Sequence, residues 1–400
     1  MNGLSQLRRH ASLWGGGASL AFAAIAFAAT GAFQQRTAAV ASLPERLSDS
    51  AFWSLVTESS EPDGYFRSDN LVSNELTFQH VIPELLETLP PDGVYLGVGP
   101  DQNFTYIAAL RPRIAFIIDI RRGAMLQHLM YKGIIELSRD RADFLATLFS
   151  RPRPQGLDST TAVTDLMTAF DAVAPDSAMF QRNFRLLIEH LTATHRFSLT
   201  PDDIAGIEYV HGAFFVDGPA LTYSFGRGNS GWRSGRAMPS YGELMTETDG
   251  AGVQRGYLAN EINFAALRAM QQRNLILPVI GDFAGEKAVR AVGTYLKRHG
   301  ATVSAVYTSN VEQYLFQSPD AWRRYYENVA ALPLNDKSTF LRAVFNYGGY
   351  YNLQSGMRRT RSITMLCSIE ELLGAFRDGR IQGYWDVINM SHAPAVPAGR

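Results

Sequence analysis

Residues 94–122 read VYLGVGPDQNFTYIAALRPRIAFIIDIRR. An apolar run enters a turn that contains Gly97 and Gly99, a helix-like segment follows, and a second apolar run ends on Asp119. This order is typical of the first unit of a nucleotide-binding α/β sheet. Glycine at the turn allows a ligand to approach the backbone. Asp119 lies 22 residues after Gly97, close to the spacing of about 20 in such units. The stretch predicts a pocket in which both glycines and Asp119 bind a ligand, with Asp119 on the ribose hydroxyls.

The residues after the turn argue against a dinucleotide. The third glycine of a GxGxxG pattern is replaced by Gln102, and Pro100 and Asp101 follow Gly99 directly. Pro100 removes one of the N–H groups that a pyrophosphate needs at a helix start. The pattern therefore favours a ligand without a pyrophosphate, such as S-adenosylmethionine. The alternative is a tight strand-to-helix turn with no ligand, in which Asp119 caps the next helix.

Three runs carry a resemblance to a known family: GVGPDQNFTYIAALRP at 97–112, FIIDIRR at 116–122, and residues 275–316. They resemble an uncharacterised bacterial family that is similar to class I S-adenosylmethionine-dependent methyltransferases. The likeness covers about residues 47–388. It implies a Rossmann-like, methyltransferase-type α/β fold, with a mostly parallel sheet, helices on both faces and a pocket for S-adenosylmethionine. It also implies a helix over the cofactor, with Asp69, Asn70, Asn74 and Glu75 as contacts from this lid; the alternative for these residues is plain helix capping.

Composition limits the class of protein. The chain has 400 residues, 46% of them hydrophobic, and a net charge of -1, which supports a sizeable core. Since Lys and Arg form no long block, a nucleic-acid partner is not expected. The single cysteine, Cys367, excludes an intramolecular disulfide and a metal site of several thiolates. Its apolar surroundings in sequence predict a small buried side chain.

The N-terminus differs from the rest of the chain. Arg8 and Arg9 precede an apolar, small-residue run at about 13–33, which approaches the ~20 residues needed to cross a bilayer. Residues 1–41 are therefore predicted to be a signal peptide or a membrane anchor, with the body exported. S-adenosylmethionine is made in the cytosol, so an exported body would need a pre-bound cofactor, another ligand or none. A cytoplasmic body is the alternative if the apolar run is not such a segment.

Hydrophobic periodicity predicts one α/β domain over residues 42–390 and a disordered tail over 391–400. The predicted strands are 94–98, 114–119, 207–216, 275–282, 303–307, 347–353 and 362–369. The predicted helices are 76–89, 125–148, 160–197, 260–272 and 285–299. A helical insertion is expected at about 150–200, where a simple nucleotide-binding sheet would have its third strand. The polar loop 223–241 carries Arg227, Arg233 and Arg236, and is either a grip for an anionic or planar acceptor or a mobile surface loop.

Ligands of open α/β sheets bind beyond the carboxyl ends of the strands. Polar side chains that follow predicted strands are therefore candidates, and they are Gly97, Gly99, Asp101, Gln102, Asp119, Asp217, Asp282, Asn310 and Glu312. Methyl transfer needs alignment and exclusion of water, and a base only if the acceptor is protonated. We expect that base to be Asp282, Glu312 or His211. For Asp282, a helix cap is an equally good interpretation.

Other chemistries lack their motifs: the sequence has no GxSxG, Walker A or HExxH pattern. His190 and His195 are five apart on a helical pattern, so they are not expected to share a face, and no metal site is predicted. The sequence thus favours a methyltransferase-like protein that acts on a small-molecule or lipid acceptor. The alternative is a non-catalytic, membrane-held binding protein on the same fold.

Overall fold

The computed structural model describes residues 42–224, 238–345 and 362–394. Its centre is a six-stranded sheet of order β3-β2-β1-β4-β5-β6. All neighbouring strands are parallel except β5 and β6, which pair antiparallel. The strands are β1 Val94–Gly97, β2 Ile114–Asp119, β3 Ile276–Ile280, β4 Val303–Ser309, β5 Thr339–Phe345 and β6 Ser362–Ser368. The predicted mixed α/β class with a mostly parallel sheet is confirmed.

Strands β1, β2 and β3 are buried along their whole length. Continuous apolar runs of this kind are typical of parallel strands that helices cover on both faces. Successive strands are placed on different sides of β1. Strands β2 and β3 lie on one side of it, whereas β4, β5 and β6 lie on the other side. In open α/β sheets, such a switch point opens a crevice at the carboxyl edge.

The helices before β3 form two groups. The first group precedes or flanks β1 and β2 and consists of α1 Asp49–Ser59, α2 Ile82–Thr88, α3 Gln102–Leu110 and α4 Arg122–Leu137. The second group lies between α4 and β3 and consists of α5 Arg141–Phe149, α6 Val163–Asp171, α7 Ser177–Glu189, α8 Pro201–Asp217, α9 Tyr241–Thr246 and α10 Glu261–Gln272. The helical region between β2 and β3 thus includes the predicted insertion and extends beyond it.

The remaining helices follow β3. They are α11 Ala288–Arg298, α12 Val311–Leu315, α13 Ala321–Ala330, α14 Ile369–Arg377 and α15 Tyr384–Asn389. Helix α11 contacts α13, and α13 contacts α14, whereas α3 and α4 both contact α10. Crossovers between parallel strands are right-handed in nearly all proteins. Because the connections run in opposite directions across the sheet, this rule places α3 and α10 on one face and α11 and α13 on the other.

The predicted strand 207–216 is wrong, because these residues lie within helix α8. A capping box begins the helix: Thr200 Oγ1 accepts from the Asp203 amide at 3.2 Å, and the Asp203 carboxylate accepts from the Thr200 amide at 2.9 Å. Pro201 occupies the first turn, where its missing N–H costs nothing. Ile207, Val210 and Phe214 are buried at the spacing of one helical face.

Three predicted helices are shortened or divided, and one of them, 160–197, contains α6, α7 and the π-helix 190–194. The predicted helix 76–89 begins only at Ile82, because Thr77 has a positive φ of 67° and Pro83 is at the helix start. The predicted helix 125–148 divides into α4 and α5, and Asp140 caps α5 by accepting from the Asp143 amide at 2.8 Å. Strand β5 was not predicted, and the predicted strand 347–353 lies outside the described residues.

Several other predictions also lie outside the described part of the chain. They concern the N-terminal segment 1–41, residues 225–237 of the polar loop with Arg227, Arg233 and Arg236, and the tail from residue 395. Within the described residues, no helix combines the length and the apolar character that crossing a membrane requires.

Candidate functional site

A cavity of about 290 Å³ opens at the carboxyl ends of β1, β2 and β4. This is the switch point of the sheet, and the volume is at the lower end of the ~300–1,000 Å³ of small-molecule sites. Its polar lining consists of Asn70, Ser73, Asn74, Glu75, Gln102, Asp119, Asp282, Ser309 and Asn310. Its aromatic lining consists of Tyr65, Phe66, Tyr223, Phe283, Tyr307 and Tyr314. The cavity therefore combines rings with a few convergent polar groups.

The turn after β1 forms the floor of the cavity. Gly99 has a φ of 78°, and a Cβ there would meet no atom within 4 Å, so glycine is needed for the backbone conformation. Asn103 Nδ2 donates to the carbonyls of Val98 and Pro100 at 2.9 and 2.6 Å, and His128 Nε2 lies 2.8 Å from the Gly99 carbonyl. Burial lowers the pKa of His128 to about 4, so the ring is neutral and holds the turn as a donor.

Gly97 does not line the cavity, contrary to the prediction. A Cβ at Gly97 would come 1.9 Å from Asn103 Oδ1, and that oxygen accepts from the Tyr95 hydroxyl at 2.8 Å. Gly97 is therefore required by packing beneath the turn and not by contact with a ligand.

Asp119 lies at the cavity, at the end of β2, as predicted. Its Oδ1 accepts from the amide and from Nε of Arg121 at 3.0 and 3.2 Å. Arg121 Nη2 lies 3.3 Å from Oδ2, and Arg121 Nη1 also donates to the carbonyls of Ser68 and Asp69. Arg121 thus fixes the orientation of the carboxylate and fastens the segment before Asn70 across the edge of the sheet.

Glu75 is the most deeply buried acid of the cavity, with 1% of the residue exposed. Its partners are neutral: Gln102 Nε2 donates to Oε2 at 3.1 Å, and the hydroxyls of Tyr307 and Ser309 donate to Oε1. Burial raises the pKa of Glu75, and these three donors lower it in part. A carboxyl group whose described hydrogen-bond partners include no cation therefore faces the cavity.

The segment before α2 crosses the carboxyl edge without forming the predicted lid helix. Asn70 and Asn74 both line the cavity. Asn70 has a φ of 54°, which is uncommon for a residue with a side chain, and its Oδ1 is buried with no hydrogen-bond partner among the described residues. Such an acceptor fits a ligand that donates a hydrogen bond.

Asp282 lines the cavity after β3, and it also has a structural role. Its Oδ1 accepts from the Ala284 amide at 2.9 Å, and its own amide donates to Glu61 Oε2 at 3.0 Å. Glu61 Oε1 accepts from the amides of Lys287 and Ala288 at 2.8 and 2.9 Å. The carboxylate of Glu61 thus occupies the N-terminus of α11, where an anion would otherwise bind.

Five other residues predicted as site candidates do not line the cavity: Asp69, Asp101, Asp217, Glu312 and His211. Asp101 is 1% exposed, accepts from the Tyr257 hydroxyl at 2.8 Å, and has its pKa raised to about 7 by burial. Glu312 forms a buried ion pair with Arg342, 2.7 Å between Oε2 and Nε. His211 is fully buried on α8, where Nε2 lies 3.1 Å from the Thr147 carbonyl. The side chains of Asp101, Glu312 and His211 support the core and do not face a ligand.

The prediction that His190 and His195 do not share a face is also wrong. In an α-helix, residues five apart are about 140° apart around the axis, but residues 190–194 form a π-helix, in which the His195 amide donates to the His190 carbonyl at 3.0 Å. Both Nε2 atoms therefore reach Glu136 Oε2, at 2.8 Å for His190 and 2.6 Å for His195.

Four residues that bind the acids and helix starts of the site were not predicted from the sequence. Tyr307 and Ser309 point from β4 to Glu75, Arg121 binds Asp119, and Glu61 caps α11. For Ser309, the signal was its position at the end of an apolar run, directly before the candidate Asn310. No local pattern signalled Glu61, because its partners lie more than 220 positions away in the chain.

Among the described residues that line the cavity, the charged side chains all have one sign. Glu75, Asp119 and Asp282 contribute carboxyl groups, and none of the described lining residues is Lys, Arg or His. Arg121 turns toward Asp119, and only 12% of its side chain is exposed. The lining is thus suited to a ligand that carries positive charge and hydrogen-bond donors.

Fold and site together define an α/β protein with a mostly parallel sheet and an acidic cavity at the switch point of that sheet. The family described as domain of unknown function DUF7790 matches residues 70–167 and 232–360, more than half of the chain. The chain belongs to this family. The matched residues include the glycine turn, Asp119 and β4. A comparison with curated proteins gives no match.

Proposed function

We propose that the cavity binds S-adenosylmethionine and that the protein is a methyltransferase-like enzyme for a small-molecule or lipid acceptor. The observation that carries the proposal is the acidic lining: Glu75, Asp119 and Asp282 face a cavity whose described lining has no cationic side chain. S-adenosylmethionine carries a sulfonium and an ammonium group and no phosphate. A dinucleotide would bring two phosphate charges toward these carboxyl groups.

The strand order supports an adenosyl ligand. The order β3-β2-β1-β4-β5-β6 corresponds to the 3-2-1-4-5-6 order of nucleotide-binding sheets, whose ligands bind at the switch point. The antiparallel β6 suits the methyltransferase type of this sheet. The proposed methyltransferase type is supported by three features: the cavity, the strand order and the resemblance of residues 97–122.

Each part of the cofactor has a candidate partner. Asp119 Oδ2, whose contact with Arg121 is long at 3.3 Å, is the acceptor proposed for the ribose hydroxyls. Glu75 lies on the other side of the glycine turn, against Gln102 and Tyr307, and is proposed for the charged methionine end. The aromatic lining offers faces for the adenine ring. A cation beside Glu75 would offset the cost of burying its carboxylate.

The anion sites of a dinucleotide pocket are filled or absent here. Pro100 has no N–H to offer at the start of α3, and Glu61 accepts the amides at the start of α11. Both features favour a ligand that lacks a pyrophosphate.

A bound S-adenosylmethionine would supply an activated methyl group, so the chain itself needs only to hold the reactants and exclude water. Of the three predicted bases, Asp282 alone lines the cavity, and it is the candidate that would accept a proton from an acceptor. Because Oδ1 of Asp282 also accepts from the Ala284 amide, the free acceptor is Oδ2.

That limited set of bases favours a second candidate function, a ligand-binding protein without turnover. Glu312 and His211 are buried in the core, and Asp282 has a capping role as well. This alternative shares the cavity and the cofactor with the first candidate, and it differs only in the absence of a transferred methyl group.

Calorimetric titration of the purified chain tests the proposal. We expect S-adenosylmethionine to bind at one site per chain, NAD to bind much more weakly, and Asp119→Asn to weaken S-adenosylmethionine binding. Glu84→Gln, a change on the surface pair with His392, is the control and should bind as the wild type does. Wild-type protein that prefers NAD, or an Asp119→Asn variant with unchanged affinity, would contradict the proposal. Transfer of a labelled methyl group to a cell extract then separates the enzyme from the binding protein.

A further inference from the structure

A second site lies away from the cavity, where Glu136 near the end of α4 meets His190 and His195 of the π-helix. Glu136 Oε2 is 2.8 and 2.6 Å from the two Nε2 atoms, and these two atoms are 3.2 Å apart. From this geometry we propose that Glu136, His190 and His195 bind one divalent transition-metal ion of the Zn²⁺ type.

The three ligand atoms converge on one point. Zinc binds imidazole nitrogen and carboxylate oxygen at about 2.0–2.2 Å, and two histidines with one glutamate form an established ligand set for it. An ion at these distances from all three atoms requires the atoms to separate by less than about 1 Å from their present positions, toward tetrahedral spacing. The π-helix provides the arrangement, and single π-turns inside helices are frequent at functional sites.

Neighbouring side chains orient the ligands. His195 Nδ1 lies 2.7 Å from Asp49 Oδ1, which is the contact that metal-bound histidines usually make on their second nitrogen. Lys132 Nζ donates to the other oxygen of Glu136, Oε1, at 2.6 Å, which leaves Oε2 for an ion. Phe197 stacks on the His195 ring at 5.0 Å between centroids and holds its plane.

The local charge and exposure also fit a cation. Glu136 and Asp49 carry two negative charges and Lys132 carries one positive charge, so the cluster with neutral imidazoles has a net charge of about -1. The side chains of His190, His195 and Glu136 are 18%, 11% and 5% exposed. The site is enclosed on most sides, yet it is open enough for an ion to enter and for water to provide a fourth ligand.

The donor set selects the metal. Imidazole suits Zn²⁺, Ni²⁺ and Cu²⁺, whereas Mg²⁺ and Ca²⁺ prefer all-oxygen sites.

The position of the site indicates a role in stability. Asn274 binds both Lys132 and Asp49, and it precedes β3 at the amino edge of the sheet, opposite the cavity. An ion would join α4 to the segment after α7, and the hydrogen bond between His195 and Asp49 would extend that link to α1.

The test uses the full chain without a polyhistidine tag, stripped of metal with EDTA and then freed of EDTA. We expect Zn²⁺ to bind in competition with a chromophoric chelator, one ion per chain, and to raise the unfolding temperature. Co²⁺ should give visible absorption bands at the same stoichiometry, and Mg²⁺ should not displace either ion. His190→Gln removes a ligand whose Nε2 contacts Glu136 and His195. It should therefore abolish Zn²⁺ binding, the rise in unfolding temperature and the Co²⁺ bands.

The matched control is His392→Gln. His392 lies 2.7 Å from Glu84 on the surface, and its loss should leave metal binding unchanged. If His190→Gln does not fold, as judged by circular dichroism in EDTA, Glu136→Gln replaces it. A wild-type chain that binds no Zn²⁺ and shows no Co²⁺ bands would overturn the proposal and leave a proton-sharing cluster only. Equal binding by wild type and by a folded ligand variant would overturn it as well.

Discussion

Two buried carboxyl groups near the end of β4 show how this protein separates its core from its cavity. Glu75 and Glu312 are each 1% exposed, and each accepts from a tyrosine hydroxyl at 2.7 Å. Glu312 is also held by Arg342, with Nε at 2.7 Å from Oε2 and Nη2 at 3.1 Å from Oε1. Among the described residues, the side-chain partners of Glu75 are Gln102, Tyr307 and Ser309, none of them a cation, and Glu75 faces the cavity.

Of these two acids, Glu75 is the one available to a ligand. A buried charge is tolerated when a counterion and hydrogen bonds satisfy it, and Glu312 has both. Glu75 has the hydrogen bonds without the counterion, so burial raises its pKa. We therefore assign Glu312 to stability and Glu75 to binding. The following predictions test which residues of the core and of the cavity contribute to stability.

The largest effect is expected from Arg342→Met. This change leaves Glu312 buried with the Tyr326 hydroxyl and no cation, and breaking a buried pair in this way costs about 3–5 kcal/mol. Urea unfolding should show a loss of this size in the free energy of unfolding. The control is Arg380→Met, which breaks an exposed pair with Asp378 and should change little. A similar small change for both variants would place Glu312 outside the set of structural acids.

A pH-dependent effect is expected from Asp101, a buried acid with Tyr257 as its partner. Because its folded pKa is about 7, above the unfolded value, the folded state holds the proton more strongly. Its contribution is therefore greatest below pH ~4 and is lost as the pH rises to about 7. Between pH 5 and pH 8 the wild type should lose about 3 kcal/mol relative to Asp101→Asn. Urea unfolding of both proteins at the two pH values measures this, and parallel behaviour would refute the assignment.

A smaller loss is expected at the floor of the cavity. Gly99→Ala places a side chain where φ is 78°, and the left-handed conformation costs about 1–2 kcal/mol for a residue other than glycine. Since the Cβ would meet no atom within 4 Å, the cost is conformational and the new methyl group would project into open space. The control is Gly123→Ala in α4, also without close atoms, which should lose no stability. Both are read from thermal unfolding.

The smallest effect on stability is expected from Glu75→Gln. The amide removes a buried charge, and the hydroxyls of Tyr307 and Ser309 can accept from it, so the free energy of unfolding should change by less than about 1 kcal/mol. Urea unfolding beside Arg342→Met gives the direct contrast. A loss as large as that of Arg342→Met would show that Glu75 is a structural acid like Glu312.

Much of the fold could be predicted because its signals are local. The unit from β1 through the glycine turn to Asp119 is contiguous in sequence, and strand ends identified Asp282 and the vicinity of Ser309. Strand β5 was missed because Arg342 interrupts its apolar run, and only its pairing with Glu312, 30 residues away, explains an arginine in a buried strand. The apolar residues of 207–216 predict a strand, whereas the capping box of Thr200 and Asp203, which begins helix α8, lies several residues before them.

The site was predicted less completely because its chemistry depends on distant partners. Whether Asp101 or Asp119 faces a ligand is decided by Tyr257 and by Arg121, and neither contact follows from spacing. The π-helix at 190–194 has one more residue in its turn than an α-helix. His190 and His195, which α-helical periodicity places on different faces, therefore both contact Glu136.

The most direct test of the central claim, that an acid without a counterion makes the cavity a site for a cationic adenosyl ligand, is calorimetric titration of wild type and Glu75→Gln with S-adenosylmethionine. We expect binding to the wild type and an affinity ten- to a hundredfold lower in the variant, because hydrogen bonds to a charged group contribute about 1.5–3 kcal/mol. Equal affinity in the two proteins, or no binding to the wild type, would contradict it.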